Sequence, residues 1–138
     1  MVCIYCGAHT HVINSRLQTK LNRIWRRRSC TTCGSTFTTS ELSDTSLSVM
    51  VEDEAKALTP LVRDKLFLSI YESCRHRRSA VADAGALTDT VMAKLLKTDH
   101  GGTLSRLSIQ ETAHKALQHF DTAAATHYNA YYFSDRNL

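Results

Sequence analysis

The first forty residues contain no aspartate and no glutamate, yet they carry Arg16, Lys20, Arg23, Arg26, Arg27 and Arg28. A stretch charged with one sign repels itself unless anions face it, and nucleic acid is the partner that supplies anions at regular spacing. Residues 41–138 hold 11 basic and 13 acidic residues, so the net charge of +4 joins a basic head to a slightly acidic body. The change at Glu41 marks the expected domain boundary. No apolar stretch approaches the roughly 18 residues that span a bilayer, which excludes a membrane helix. The opening residues lack the apolar core of a secretory signal, so a reducing cytosol is expected. There is no internal repeat and no low-complexity tract. A Gly-x-x-x-x-Gly-Lys-Ser/Thr phosphate loop is missing, no Ser/His/Asp arrangement is legible, and the chain is expected not to be an enzyme.

Against these absences stand two matched cysteine knuckles, Cys3-Ile-Tyr-Cys6-Gly7 and Cys30-Thr-Thr-Cys33-Gly34, with 23 residues between them. A C-x-x-C turn followed by glycine lets two thiolates approach one ion, with glycine relieving the backbone where its amides turn toward sulfur. Four thiolates close a tetrahedral shell and leave no position for water, so Cys3, Cys6, Cys30 and Cys33 are expected to hold one structural Zn²⁺. Iron in the same cage is the alternative metal. A redox C-x-x-C is usually single and sits in a βαβ unit, and a disulfide framework suits a secreted chain. His9 and His11 read as surface or phosphate-contacting residues rather than ligands. Cys74, alone in an apolar helical pattern, reads as a buried, inert thiol.

Forty residues bury too little apolar surface to fold alone, so the metal must supply folding energy. Val12-Ile13 and Ile24-Trp25 are β-type segments, Gln18 to Asn22 forms the tip between them, and Phe37 with its threonine neighbours adds a third strand. Two knuckles framing a hairpin make a zinc ribbon. Strand alternation sends Arg26 and Arg28 to one face and Arg27 to the other. The guanidinium fork suits phosphate and guanine edges, so Asn14, Arg16, Lys20, Arg23, Arg26, Arg27 and Arg28 are the expected contacts to double-stranded DNA. A solvated basic face is the plainer reading of the same arginines. Trp25 reads as core filler ahead of a base-stacking ring.

The fold class expected for the whole is α+β: the three-stranded ribbon over 1–40, a linker over 41–46, and a β-hairpin with four helices over 47–135. Leu47 to Val51 reads as a strand, Glu52 to Ala55 as an acidic turn, and Lys56 to Leu58 as the returning strand. Thr59-Pro60 has the form of a helix start, running to about Arg77. Ser79 caps a second helix, and Asp99 to Thr103 breaks it. Ser105 or Ser108 caps a third, with Ser108-x-x-Glu111 fitting a capping box. A fourth carries Tyr128, Tyr131, Tyr132 and Phe133. That aromatic cluster reads as core or an oligomer contact ahead of a wall for a base. Asp121 reads as a helix-terminal acid and His127 as a surface or packing residue.

Taken together, Cys3-Ile-Tyr-Cys-Gly7, Val12-Ile-Asn-Ser-Arg16, Ile24-Trp-Arg-Arg-Arg-Ser-Cys30 and Cys33-Gly-Ser-Thr-Phe-Thr-Thr39 with Glu41 resemble the NrdR family, bacterial transcriptional repressors of ribonucleotide reductase genes. The resemblance extends over residues 1–135. It implies a zinc ribbon that binds duplex DNA operators, followed by an ATP-cone that binds ATP or dATP and sets the homo-oligomeric state. It also implies a cytoplasmic, nucleoid-associated protein. Pro60-Leu-Val-Arg-Asp-Lys-Leu66 is similar to the family's Pro-Phe-Asp-Arg-Glu-Lys-Leu, which implies that Lys65 reaches a phosphate with Arg63 assisting.

The cone half also departs from the family. Where the family's first strand ends in a basic Lys-Arg-Asp-Gly turn, this chain has Glu52-Asp53-Glu54-Ala55. Close like charges cost on the order of 1–4 kcal/mol each even at high effective dielectric, so the turn should repel a triphosphate. Lys56 stands next to it as the replacement base, and with Tyr128 and Tyr132 completes the expected nucleotide set. Late family tyrosine and arginine positions are Ala125 and His127 here. The expectation is retained DNA binding with altered, weakened or lost nucleotide sensing. The alternative is a ribbon that docks on a protein such as a polymerase or reductase subunit.

Overall fold

The computed structural model describes residues 1–98 and 101–133. The chain divides into two compact units, Met1–Ser43 and Asp44–Leu138. In the first, β1 (Thr10–Gln18), β2 (Arg23–Cys30) and β3 (Thr36–Leu42) form an antiparallel sheet in that order. A 3-10 turn over Thr19–Leu21 and a left-handed Asn22 (φ 46°) close the first hairpin where the sequence places its tip. Asparagine tolerates that conformation better than most side chains. Ile13 is squeezed out of register between Val12 and Asn14 as a bulge. β3 extends past residue 40 to Leu42, and Glu41 pairs across to Ile24.

The apolar cluster of this unit is Cys3, Cys30 and Phe37, with Ala8 packed on it. So small a core cannot offset the conformational entropy of 43 residues, which is why the fold depends on a cross-link at the knuckles. Trp25 is not part of it. Pairing puts Arg28 opposite Phe37 and Trp25 opposite Ser40, so the indole and Phe37 lie on opposite faces. Trp25 is half-buried with the Arg16 guanidinium 6.0 Å from its ring, which corrects the core-filler reading.

The second unit has β4 (Met50–Glu52), β5 (Leu58–Pro60) and β6 (Thr103–Ser105), in the order β5-β4-β6, with β6 parallel to β4. Its helices are α1 (Arg63–Cys74), α2 (Ala80–Thr98), α3 (Arg106–Phe120) and α4 (Thr122–Tyr132). Several boundaries differ from the sequence reading. Thr45–Leu47 is a 3-10 turn capped by Asp44, and the strand starts at Met50. Thr59-Pro60 ends β5 rather than starting a helix; Pro60 pairs with Met50 on an edge strand, where its missing N–H breaks no inner ladder. α1 begins at Arg63 behind Val62, which offers no side-chain cap. β6 falls at the end of the segment read as a break, of which Asp99 and His100 lie outside the described residues. A three-residue parallel strand is too short to show a period of two. Ser105 caps α3, accepting from the Ser108 amide at 3.1 Å, so Ser108 lies inside the helix and its capping box with Glu111 does not form.

The helices close over a single core in which Ile70, Val91, Leu95, Leu117 and Tyr128 are essentially inaccessible. Cys74 is fully buried there, and burial pushes its thiol up. Beyond α1, Arg77 spans to Asp83 (2.8 Å) and Asp121 (2.9 Å), with its guanidinium 4.6 Å from the Phe120 ring. Asp121 in turn caps α4 through the Ala124 amide at 3.0 Å and accepts from His76 at 3.1 Å. These bonds, the Ala124 amide foremost, hold its carboxyl well below the usual range. One carboxylate thus ties the α1–α2 connection to the start of α4.

Candidate metal centre, nucleic-acid face and ligand cavity

Gly7 (φ 74°) and Gly34 (φ 70°) follow the second cysteine of each knuckle in the left-handed region, which glycine enters without steric cost. These turns aim the Tyr5 amide at Cys3 Sγ and the Thr32 and Cys33 amides at Cys30 Sγ, all at 3.4 Å. The four sulfurs lie within 4.8 Å of one another, with Cys3–Cys33 at 3.7 Å and Cys6–Cys30 at 3.5 Å. A tetrahedral ion with Zn–S bonds of about 2.3 Å separates its sulfurs by about 3.8 Å, so the cage fits zinc. Protonation differs among the thiols. Hydrogen bonds from the Ser35 hydroxyl and amide hold Cys33 down to about 6. The Ala8 amide pulls on Cys6 in the same direction, but hydrogen bonding with Cys30 and Cys33 wins and pushes it up to about 12. Four sulfurs this close ionise together only with a cation among them, and a divalent metal supplies that charge. Cys3 and Cys30 are buried and Cys6 and Cys33 exposed. Among the described residues no other His, Cys, Asp or Glu group reaches ligand spacing, so His9 and His11 stay outside it.

The sheet sorts the arginines. Directly opposed residues of antiparallel strands share a face, and the register pairs Asn14 with Arg27, Arg16 with Trp25 and Gln18 with Arg23. Across β2 the same residues meet Thr38, Ser40 and Leu42. This open face carries three arginines, two amides and an indole, and no acid. Arg27 is exposed and donates to the Thr36 hydroxyl at 3.1 Å, and Arg23 donates to the Gln18 amide oxygen. The other face carries Arg26 and Arg28 with Cys30 and Phe37. There Arg26 is paired with Glu41 at 3.0 Å, and Arg28 donates to the Thr39 hydroxyl at 3.3 Å. Lys20 is exposed on the hairpin tip. The run of three arginines is therefore not one patch; Glu41, one residue beyond the acid-free stretch, neutralises part of it.

In the second unit, a cavity of about 410 Å³ opens between β4, β5, α1, α3 and α4. Lys65, Tyr128 and Tyr132 line it, together with Arg106, Gln110 and Ser69, which the sequence reading missed. The rings of Tyr128 and Tyr132 stand 4.7 Å apart, and the Gln110 amide donates to the Tyr132 carbonyl at 2.7 Å. Burial pushes the Tyr128 hydroxyl up to about 12, against the pull of a hydrogen bond with Ser69, so it stays a neutral donor. Arg63 does not reach the cavity: its guanidinium is held by Asp89 at 2.6 Å. Lys56 turns aside too, pairing with Glu52 at 3.1 Å from a left-handed backbone (φ 67°). It lines a neighbouring pocket of about 170 Å³ with Glu52, Asp53, Glu54 and Arg106. Arg106 was legible only as a basic residue in the first turn of a helix, and nothing local says that α3 begins beside β4.

Residues 1–41 match the family model described as the N-terminal domain of transcriptional repressor NrdR-like proteins. Over nearly its whole length the chain is 31% identical to the transcriptional repressor NrdR of Syntrophotalea carbinolica, covering 99% of this chain and 88% of that protein. The chain belongs to the NrdR family. It is also 31% identical to the NrdR of Nitrosomonas eutropha, over 97% of this chain and 83% of that protein, and 27% identical to that of Symbiobacterium thermophilum, over 99% and 91%. The α+β fold class and the ribbon expected from the sequence agree with this membership and with the described sheet and helices. Among the described residues no helix is long and apolar enough to cross a membrane.

Proposed function

We propose that this protein is a zinc-dependent transcriptional repressor whose ribbon binds duplex DNA through the open face of its sheet, with ribonucleotide reductase genes as targets. The observation that carries the reading is the acid-free face of Asn14, Arg16, Arg23, Trp25 and Arg27, set on a sheet with a four-cysteine cage. Arginine forks bond phosphate and guanine, the Asn14 amide matches an adenine edge, and Trp25 under Arg16 is a stacking surface. Zinc, when bound in the cage, supplies the cross-link that holds the two knuckles and hence the sheet in register. The ribbon residues position the module on phosphates and read base edges. One ribbon covers few base pairs, so specificity requires at least two copies on paired half-sites. The second unit supplies the contact between copies, and exposed Leu68, Val81 and Tyr131 on its helices support that role. Its 410 Å³ cavity, with a tyrosine pair and two cations, supports binding of an adenine nucleotide as effector.

The test is fluorescence anisotropy at physiological salt with duplex from upstream of the organism's ribonucleotide reductase genes against a scrambled duplex. Selective binding, lost when zinc is chelated, is the expected result. Equal, weak binding to both duplexes refutes the repressor reading and favours a ribbon that docks on protein.

A further inference from the structure

We infer that the cavity of the second unit discriminates by phosphate count, taking a purine nucleoside monophosphate in preference to the di- and triphosphate. The inference rests on the reading of this cavity as a nucleotide site. Its walls divide in two. Val51, Leu61, Ile109, Tyr128 and Tyr132 make an apolar and aromatic side suited to a purine ring. Lys65 and Arg106 make the cationic side, and among the described residues neither has an ion-pair partner. Two cations balance one phosphate group of about two negative charges.

Beyond them the charge reverses. Asp53 lines the cavity itself, and Arg106 is shared with the adjoining pocket, whose rim is Glu52, Asp53 and Glu54. The β4–β5 turn is fixed in place: Asp53 accepts from the Ala57 amide at 2.8 Å, and its carbonyl accepts from the Lys56 amide at 3.2 Å. The only cation in the turn, Lys56, is spent on Glu52. A phosphate chain extended past Arg106 meets Asp53 and Glu54, and the one further base lining either pocket is Lys56, already paired with Glu52. The site is complementary to a short anion and repels the added charges of a longer one.

Isothermal titration of the full-length zinc-loaded protein with AMP, ADP and ATP, each in a metal-chelating buffer that spares the ribbon and again with excess Mg²⁺, tests this. AMP is expected to bind about tenfold more tightly than ATP without Mg²⁺, with ADP between them. Glu54→Lys, at an exposed turn tip, is expected to narrow the gap to within about threefold by strengthening ATP. ATP binding as tightly as AMP without Mg²⁺ overturns the inference while leaving the nucleotide reading intact. So does a preference for ATP that appears only with Mg²⁺, since the acids then serve a cation. Failure of all three nucleotides to bind folded protein overturns the nucleotide reading itself, and the inference with it.

Discussion

Replacing Arg27 by alanine should separate the two faces of the ribbon. Arg27 projects from the open face, exposed, with only a hydroxyl for company, whereas Arg26, one residue earlier, points to the other face and is neutralised by Glu41 at 3.0 Å. A phosphate contact on duplex DNA contributes about 0.9 to the slope of log affinity against log salt. At about 0.15 M salt that counterion term alone corresponds to a factor of about five, or about 1 kcal/mol. Arg27→Ala is therefore expected to weaken operator and scrambled duplex alike by about fivefold and to reduce the salt slope by about one. Arg26→Ala should leave the slope unchanged and affinity within about twofold, because an exposed ion pair contributes about 0–1 kcal/mol to the fold. Anisotropy titrations at four salt concentrations measure both. If Arg26→Ala flattens the slope and Arg27→Ala does not, the duplex lies against the metal side of the sheet and the face assignment is wrong.

Cys30→Ser should abolish operator binding and unfold the ribbon while leaving the helical unit folded, a split visible in an amide NMR spectrum; normal binding by the mutant would refute the structural-metal reading. Gly34→Ala meets open space but forces a side chain at φ 70°, so it should destabilise the metal-loaded ribbon by about 1–2 kcal/mol, read from competition with a zinc chelator. Ile70→Ala, at a fully buried position, should cost the second unit about 2–5 kcal/mol in denaturant unfolding. Asp121 is held below its unfolded value, so its contribution is complete above about pH 4 and is lost as pH falls through the lower folded value. In Asp121→Asn the second unit should be less stable at neutral pH and its acid limb shallower; an unchanged acid limb would mean that other carboxylates govern it.

The cysteine spacing, the glycines after each knuckle and the acid-free head were legible because they are local: a metal knuckle is a short turn whose requirements are written in consecutive residues. The same holds for the face alternation of Arg26, Arg27 and Arg28, which follows from the pleat of one strand. The long helices announced themselves by apolar period and by Ser105 and Asp121 at their starts. Pairing partners are not local. That Glu41 quenches Arg26, that Trp25 stands on the open face rather than in the core, and that Asp89 takes Arg63 away from the cavity all depend on which strand or helix lies alongside. β6 becomes a strand because β4 offers it a parallel edge, and that pairing sets the start of α3 so that Arg106 lines the same cavity as Lys65. The sequence by itself determined the metal cage and the sign of the ribbon's charge, since both rest on residue type and short-range spacing. Only the tertiary structure decided which charges remain unpaired, because an ion pair or a cavity wall forms between residues whose proximity is set by the packing of whole elements.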